Sequence, residues 1–291
     1  MKRFLGFVLV VTMCLGGTTF VLAEDASYTE YKVTLQGDSY EIPATVCAPT
    51  AEGSYPAVVM LHGTGSNREE AGNGYAYAAP VMAAEYGVAT IRIDFPGNGE
   101  STADYMLYTF DSAVADAATA AAYMAGLDNI DADRIGVMGW SQGGTDALLA
   151  AGKHPEVFKS VVTWAGAPDL TSMCTEEAYA EAKANGFFVM EFEWRDSLNV
   201  SLQWCEDVMN TDVLAVFSNF EGPILAISGT ADTTVDPEWS NKIVATSNNA
   251  GSKAYFIENM DHTFNVFSGD LTALHDAINA TGAFFAETLA E

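Results

Sequence analysis

Short, wholly apolar runs alternate along most of this chain with longer stretches rich in alanine. Residues 56–61 carry no polar side chain, the pattern of a strand buried on both faces. Comparable runs at 87–94, 134–138, 160–165, 223–228 and 252–258 predict further strands. Between them, residues 110–126 and 145–152 read as helices, and 270–289 as a closing helix. Asp236 and Pro237 suit the N-cap and first position of one more helix. Upstream, 33–36 and 40–47 flank Gly37 and Asp38 as a hairpin would. Strands alternating with helices predict a mostly parallel central sheet with helices on both faces, one α/β domain over residues 24–291.

The alternation breaks at residues 169–220. This stretch holds Tyr179, Phe187, Phe188, Phe192, Trp194, Trp204, Phe217 and Phe220, and shows no buried-strand run. It is expected to be a lid-like insertion over the C-terminal edge of the sheet, where open α/β sheets bind ligands. The N-terminus stands apart too. Lys2 and Arg3 precede an apolar run, and Val21-Leu22-Ala23 supplies small residues, so 1–23 reads as a signal peptide cut after Ala23. The mature chain is then expected to be secreted or periplasmic, with no stable membrane association. Export leaves Cys47, Cys174 and Cys205 where disulfides persist. Cys47 falls in a strand, and Cys174 and Cys205 share the insertion, so those two are the possible disulfide. Net charge is −27, from 39 acidic against 12 basic side chains, which disfavours nucleic acid as a partner.

The candidate chemistry centres on Gly139-Trp140-Ser141-Gln142-Gly143. A strand runs into this G-x-S-x-G and a helix leaves it, the context of a nucleophile held on a strained turn. A serine hydroxyl needs a base. Of the four histidines, His154 and His275 sit in helices, and His62 directly follows a strand, where it shapes a loop. His262 lies in a loop after the last strand and is the candidate base. Asp232, also beyond a strand end, is the candidate carboxylate that orients it. Asp236 is better used as a helix cap, and Asp261 points elsewhere. The backbone N–H groups of Gln142 and Thr64 are the candidate oxyanion donors. No Cys/His cluster has metal spacing, so neither a metal nor a cofactor is expected.

His62-Gly63, Asp94-Phe95-x-Gly97-x-Gly99-x-Ser101, Gly139-x-Ser141-Gln142-Gly143-Gly144, Gly229-x-x-Asp232-x-x-Val235 and Asp261-His262-Thr263-Phe264 together resemble the bacterial cinnamoyl (feruloyl) esterases of the α/β-hydrolase superfamily. The resemblance implies an α/β-hydrolase fold and hydrolysis of aromatic esters, small or polymer-linked, through an acyl-enzyme. It also implies that the insertion holds the acyl group. Phe192, Trp194 and Trp204 are its candidate contacts, with Trp140 beside the nucleophile. Trp140 stands where that family often has His, and is similar to the elbow of cutinase-type polyester hydrolases. An aromatic-polyester or lipid-ester hydrolase is therefore the alternative. A serine peptidase is disfavoured for want of a substrate-gating domain. A non-catalytic binding protein on a hydrolase scaffold is the reading of another class, opposed by the complete Ser-Asp-His order.

Overall fold

The computed structural model describes residues 27–290, together with the backbone of a two-residue strand, β1 (Phe20–Val21). The expected signal peptide otherwise lies outside the described residues. β2 (Tyr28–Gln36) and β3 (Glu41–Pro49) form the anticipated hairpin, closed by the Gly37 N–H on the Tyr40 carbonyl at 3.0 Å. Then follow β4 (Tyr55–Leu61), α1 (Gly74–Tyr86), β5 (Ala89–Ile93), α2 (Phe110–Ala125), β6 (Ile130–Trp140), α3 (Gln142–Lys153) and β7 (Phe158–Trp164). After the insertion come β10 (Ile224–Gly229), α7 (Glu238–Thr246), β11 (Lys253–Ile257) and α8 (Thr272–Thr288). The strands order as β1-β2-β3-β5-β4-β6-β7-β10-β11. Pairing is parallel from β5 through β11 and antiparallel at the β1–β2–β3–β5 edge.

The period-2 alternation of strand side chains divides the core between the two faces. Ala57, Val59 and Leu61 of β4, with Ile135 and Val137 of β6, pack under α2 and α3. Val58 and Met60, with Met138 and Trp140, pack under α1 and α8. Parallel strands covered on both faces leave no polar side to betray the alternation, which is why their sequences read as continuous apolar runs.

Three features depart from the sequence expectation. Helix α1 was not anticipated. It carries Pro80 inside it, and its buried Tyr75, Ala78, Ala79, Met82 and Ala83 give no clean polar face. Helix α7 starts one residue late. Pro237 is its N-cap, and the Asp236 carboxylate accepts the Glu238 N–H at 3.0 Å from just outside. The insertion, expected to lack buried strands, contains a two-stranded antiparallel sheet of β8 (Phe187–Met190) and β9 (Leu198–Ser201). Helix α4 (Glu176–Asn185) precedes this hairpin, and α5 (Leu202–Asn210) and α6 (Val213–Phe217) follow it. Strands of four residues are too short to display a period.

Candidate active site

Ser141 sits between β6 and α3 with φ 55° and ψ −119°. That conformation is costly for a non-glycine residue, and it is held from both sides. The Ser141 N–H donates to the Trp164 carbonyl at 2.8 Å, and its own carbonyl accepts from Gly144 at 2.9 Å. The turn is possible only with glycine at its base. A Cβ on Gly139 would lie 1.8 Å from the Gly143 carbonyl oxygen, and one on Gly143 would lie 2.1 Å from that of Leu61.

The side chains of Ser141, His262 and Asp232, from three strand ends, meet in line. His262 Nε2 lies 3.1 Å from Ser141 Oγ, and Nδ1 lies 2.8 Å from Asp232 Oδ2. Asp232 is buried, and its other oxygen accepts the N–H groups of Thr234 and Val235 at 2.8 and 2.9 Å. A carboxylate tied this way cannot swing away from the imidazole. The His262 loop is shaped by Asp261, whose Oδ1 accepts the N–H groups of Thr263 and Asn265. Asp261 thus points into its own loop, as expected.

The β4–α1 loop lies across the serine. A Cβ on Gly63 would touch the Trp140 carbonyl oxygen at 3.1 Å and Ser141 Cβ at 3.2 Å. Among the described residues, no protein acceptor engages the backbone N–H of Thr64 or of Gln142. Both are free to meet an oxyanion beside Ser141. His62 serves the loop beneath. Its Nε2 accepts the Phe95 N–H at 3.1 Å, which leaves the proton on Nδ1, 2.8 Å from the Gly63 carbonyl. Burial lowers its pKa, so the ring is neutral. Glu70, which no sequence pattern singled out, braces the same loop. One carboxyl oxygen accepts the Gly63 N–H, and the other accepts the Ser66 hydroxyl and the Ala71 N–H, both at 2.8 Å. Burial raises the Glu70 pKa, against these hydrogen bonds.

The aromatic candidates separate. Phe192 lies over the β4–α1 loop, where a Cβ on Gly65 would come within 3.1 Å of its ring. Trp194 stands edge-on to Phe192 at 5.4 Å and is 64% exposed. These two remain candidates for contact with an acyl group. Trp204 does not. It is fully buried against Phe188 in the core of the insertion, because α5 must anchor its apolar face there. Trp140 does not either. The strand alternation sends its ring to the α1/α8 face, against Tyr75, Trp164 and Phe264. Its indole N–H donates to the His262 carbonyl at 3.1 Å, so it braces the His262 loop from the far side of the sheet. Cys174 and Cys205 are not bridged. Both are buried free thiols, and burial pushes the Cys205 thiol up to about 12.

Arg195 was also unforeseen. It pins the insertion to the body, donating to the Gly65 carbonyl and Asn98 Oδ1 at 2.6 Å each and to the Gly97 carbonyl at 3.2 Å. Its guanidinium also lies 5.8 Å from the Phe192 ring centre.

Residues 74–291 match the model of the prolyl oligopeptidase family. The chain belongs to that family. It is 35% identical over 139 residues to the 2,6-dihydropseudooxynicotine hydrolase of Paenarthrobacter nicotinovorans, a match that covers 46% of this chain and 34% of that protein. The chain therefore spans about a third of that curated relative's length. Among solved structures, ferulic-acid-bound Est1E from Butyrivibrio proteoclasticus superposes with a TM-score of 0.72 at 20% identity, over 89% of this chain and 100% of that one. Dienelactone hydrolase from Anabaena variabilis superposes with a TM-score of 0.61 at 18% identity, over 90% of this chain and 99% of that one. At these identities the likeness is one of fold, the α/β-hydrolase fold. The family is one of hydrolases built on it.

Proposed function

We propose that this chain is a serine hydrolase of carboxylic esters, working through an acyl-enzyme. The observation that carries the reading is the unbroken line from Ser141 Oγ to His262 to the buried Asp232. Ser141 Oγ attacks the ester carbonyl as its proton passes to His262 Nε2. The carbonyl oxygen becomes an oxyanion facing the Thr64 and Gln142 N–H groups. His262 returns the proton to the departing alcohol, leaving an acyl-serine. Water, deprotonated by His262 in turn, releases the acid and restores the serine. Asp232 fixes Nδ1–H and stabilises the imidazolium formed in each half.

Aromatic acyl groups of the cinnamoyl or feruloyl type are the preferred substrates in this reading. Phe192 and Trp194 beside the oxyanion loop support that, as does the fold shared with a ferulate-binding esterase. The basic and then apolar sequence pattern of residues 1–23 supports export. The family description favours a second reading, peptide-bond hydrolysis. The deciding experiment compares methyl ferulate, p-nitrophenyl acetate and an aminoacyl p-nitroanilide. The esterase reading expects turnover of both esters, with methyl ferulate preferred in kcat/KM. Turnover of the anilide alone would replace it with the peptidase.

A further inference from the structure

Four side chains run without a break from the oxyanion loop to a buried carboxyl group. Thr64 Oγ1 bonds the Gln142 side-chain oxygen, the Gln142 side-chain nitrogen lies 2.9 Å from the Tyr108 hydroxyl, and Tyr108 lies 2.6 Å from Asp146 Oδ2. Asp146 and Gln142 are buried, and Asp146 Oδ1 has no hydrogen-bond partner. A buried carboxylate with one oxygen unpaired is costly, and a neutral carboxylic acid much less so. Burial first, and Asp116 nearby, push Asp146 up to about 8, against the pull of the Tyr108 bond.

An ionised Asp146 fixes the direction of the whole chain, and a neutral one allows it to reverse. A carboxylate can only accept, so Tyr108 donates to it, Gln142 donates to Tyr108, and the Thr64 hydroxyl is spent on the Gln142 carbonyl. A neutral Asp146 can donate to Tyr108, which then donates its own hydroxyl to Gln142. A half-turn of the Gln142 amide presents the oxygen to Tyr108 and the nitrogen to Thr64. The Thr64 hydroxyl hydrogen is then released. It belongs to the same residue as one free oxyanion N–H and lies against the residue that supplies the other.

We propose that the Thr64 hydroxyl is a third donor to the oxyanion, freed for that role by a relay through Gln142 and Tyr108 from neutral Asp146. This rests on the serine-hydrolase reading and adds a catalytic side chain to it. The groups acting on Asp146 are Tyr108 and Tyr105 ahead of α2, and Asp116 on α2. Helix α6 and the buried stretches of β4, β6 and β7 (57–61, 135–140 and 160–164) bring no ionisable side chain to α3.

The test uses p-nitrophenyl acetate, phenylboronic acid as a tetrahedral mimic, and a fluorophosphonate on the full chain. Thr64→Val should lower kcat at least about tenfold with KM little changed, and weaken boronate binding in proportion. Thr64→Ser should keep most of both. Tyr108→Phe cuts the relay and should lower kcat toward the Thr64→Val value, with little further loss in the double variant. Wild-type kcat should fall above about pH 8 as Asp146 ionises, and Thr64→Val should lack that limb. Full activity in Thr64→Val, or an equal loss in Thr64→Ser, would overturn the proposal while fluorophosphonate labelling of Ser141 left the parent reading standing. Should Thr64→Val not fold, an unimpaired Tyr108→Phe overturns it equally. A wild type neither labelled nor active would remove both.

Discussion

At Ser141 the backbone conformation and the hydrogen-bond line to His262 and Asp232 are one arrangement, because the turn that strains the residue also aims its oxygen. Ser141→Ala or His262→Ala should each lower kcat for p-nitrophenyl acetate by about 10⁴-fold or more, and the double variant little further, since the members act as a unit. Retention of a tenth of the activity in His262→Ala would contradict the assignment. Trp140→Phe keeps an aromatic ring but removes the N–H that holds the His262 carbonyl. A hydrogen bond worth about 0.5–1.5 kcal/mol implies a roughly three- to tenfold fall in kcat with KM unchanged. A rise in KM alone would return Trp140 to the substrate side. Ser141, His262 and Asp232 were legible in the sequence because each follows a strand end in a recognisable order. Trp140 was misread because its side is decided by strand parity, which a wholly apolar run conceals. Tyr108, Asp146 and Glu70 converge only in three dimensions, and no local spacing announces them.

At the scale of elements, the insertion is a small packed unit rather than a loose cover. Phe188, Val200, Trp204, Cys174 and Cys205 are buried in it, and Arg195 fastens it to the loops at Gly65 and Gly97. Its two jobs can be separated. Phe192→Ala should lower kcat/KM for methyl ferulate relative to p-nitrophenyl acetate by roughly three- to tenfold, the size of an aromatic contact of about 0.5–1.5 kcal/mol. Trp204→Ala should instead cost about 3–5 kcal/mol of stability in a denaturant melt, with no change in that ratio. The reverse pattern would mean that acyl preference lies in the core of the insertion. Composition alone could not sort the rings of 169–220 into anchors and contacts. The central strands were read well because burial on both faces leaves an unmistakable apolar run. Helix α1 escaped because the same double burial erased its polar face and Pro80 argued against it.

The whole molecule is strongly acidic, and Asp116 and Asp146 are among the carboxyl groups buried in it. Burial pushes Asp116 up to about 7 and Asp146 up to about 8. Both hold protons in the folded state that the unfolded chain releases above about pH 4, so each makes stability fall as pH rises toward its folded value. Lowering pH from 8 to 5.5 should therefore raise Tm, and relief of the net charge of −27 acts in the same direction. The rise should shrink in Asp116→Asn/Asp146→Asn. A Tm that falls over this interval would contradict the neutral state of both groups. The proposed catalysis depends on the whole chain, since its three candidate groups stand at 141, 232 and 262 on the ends of separate strands. The most direct test is a fluorophosphonate reaction followed by peptide mass mapping. A single adduct on Ser141, abolished in Ser141→Ala and strongly slowed in His262→Ala, is the predicted result. No adduct, or one on another residue, would contradict it.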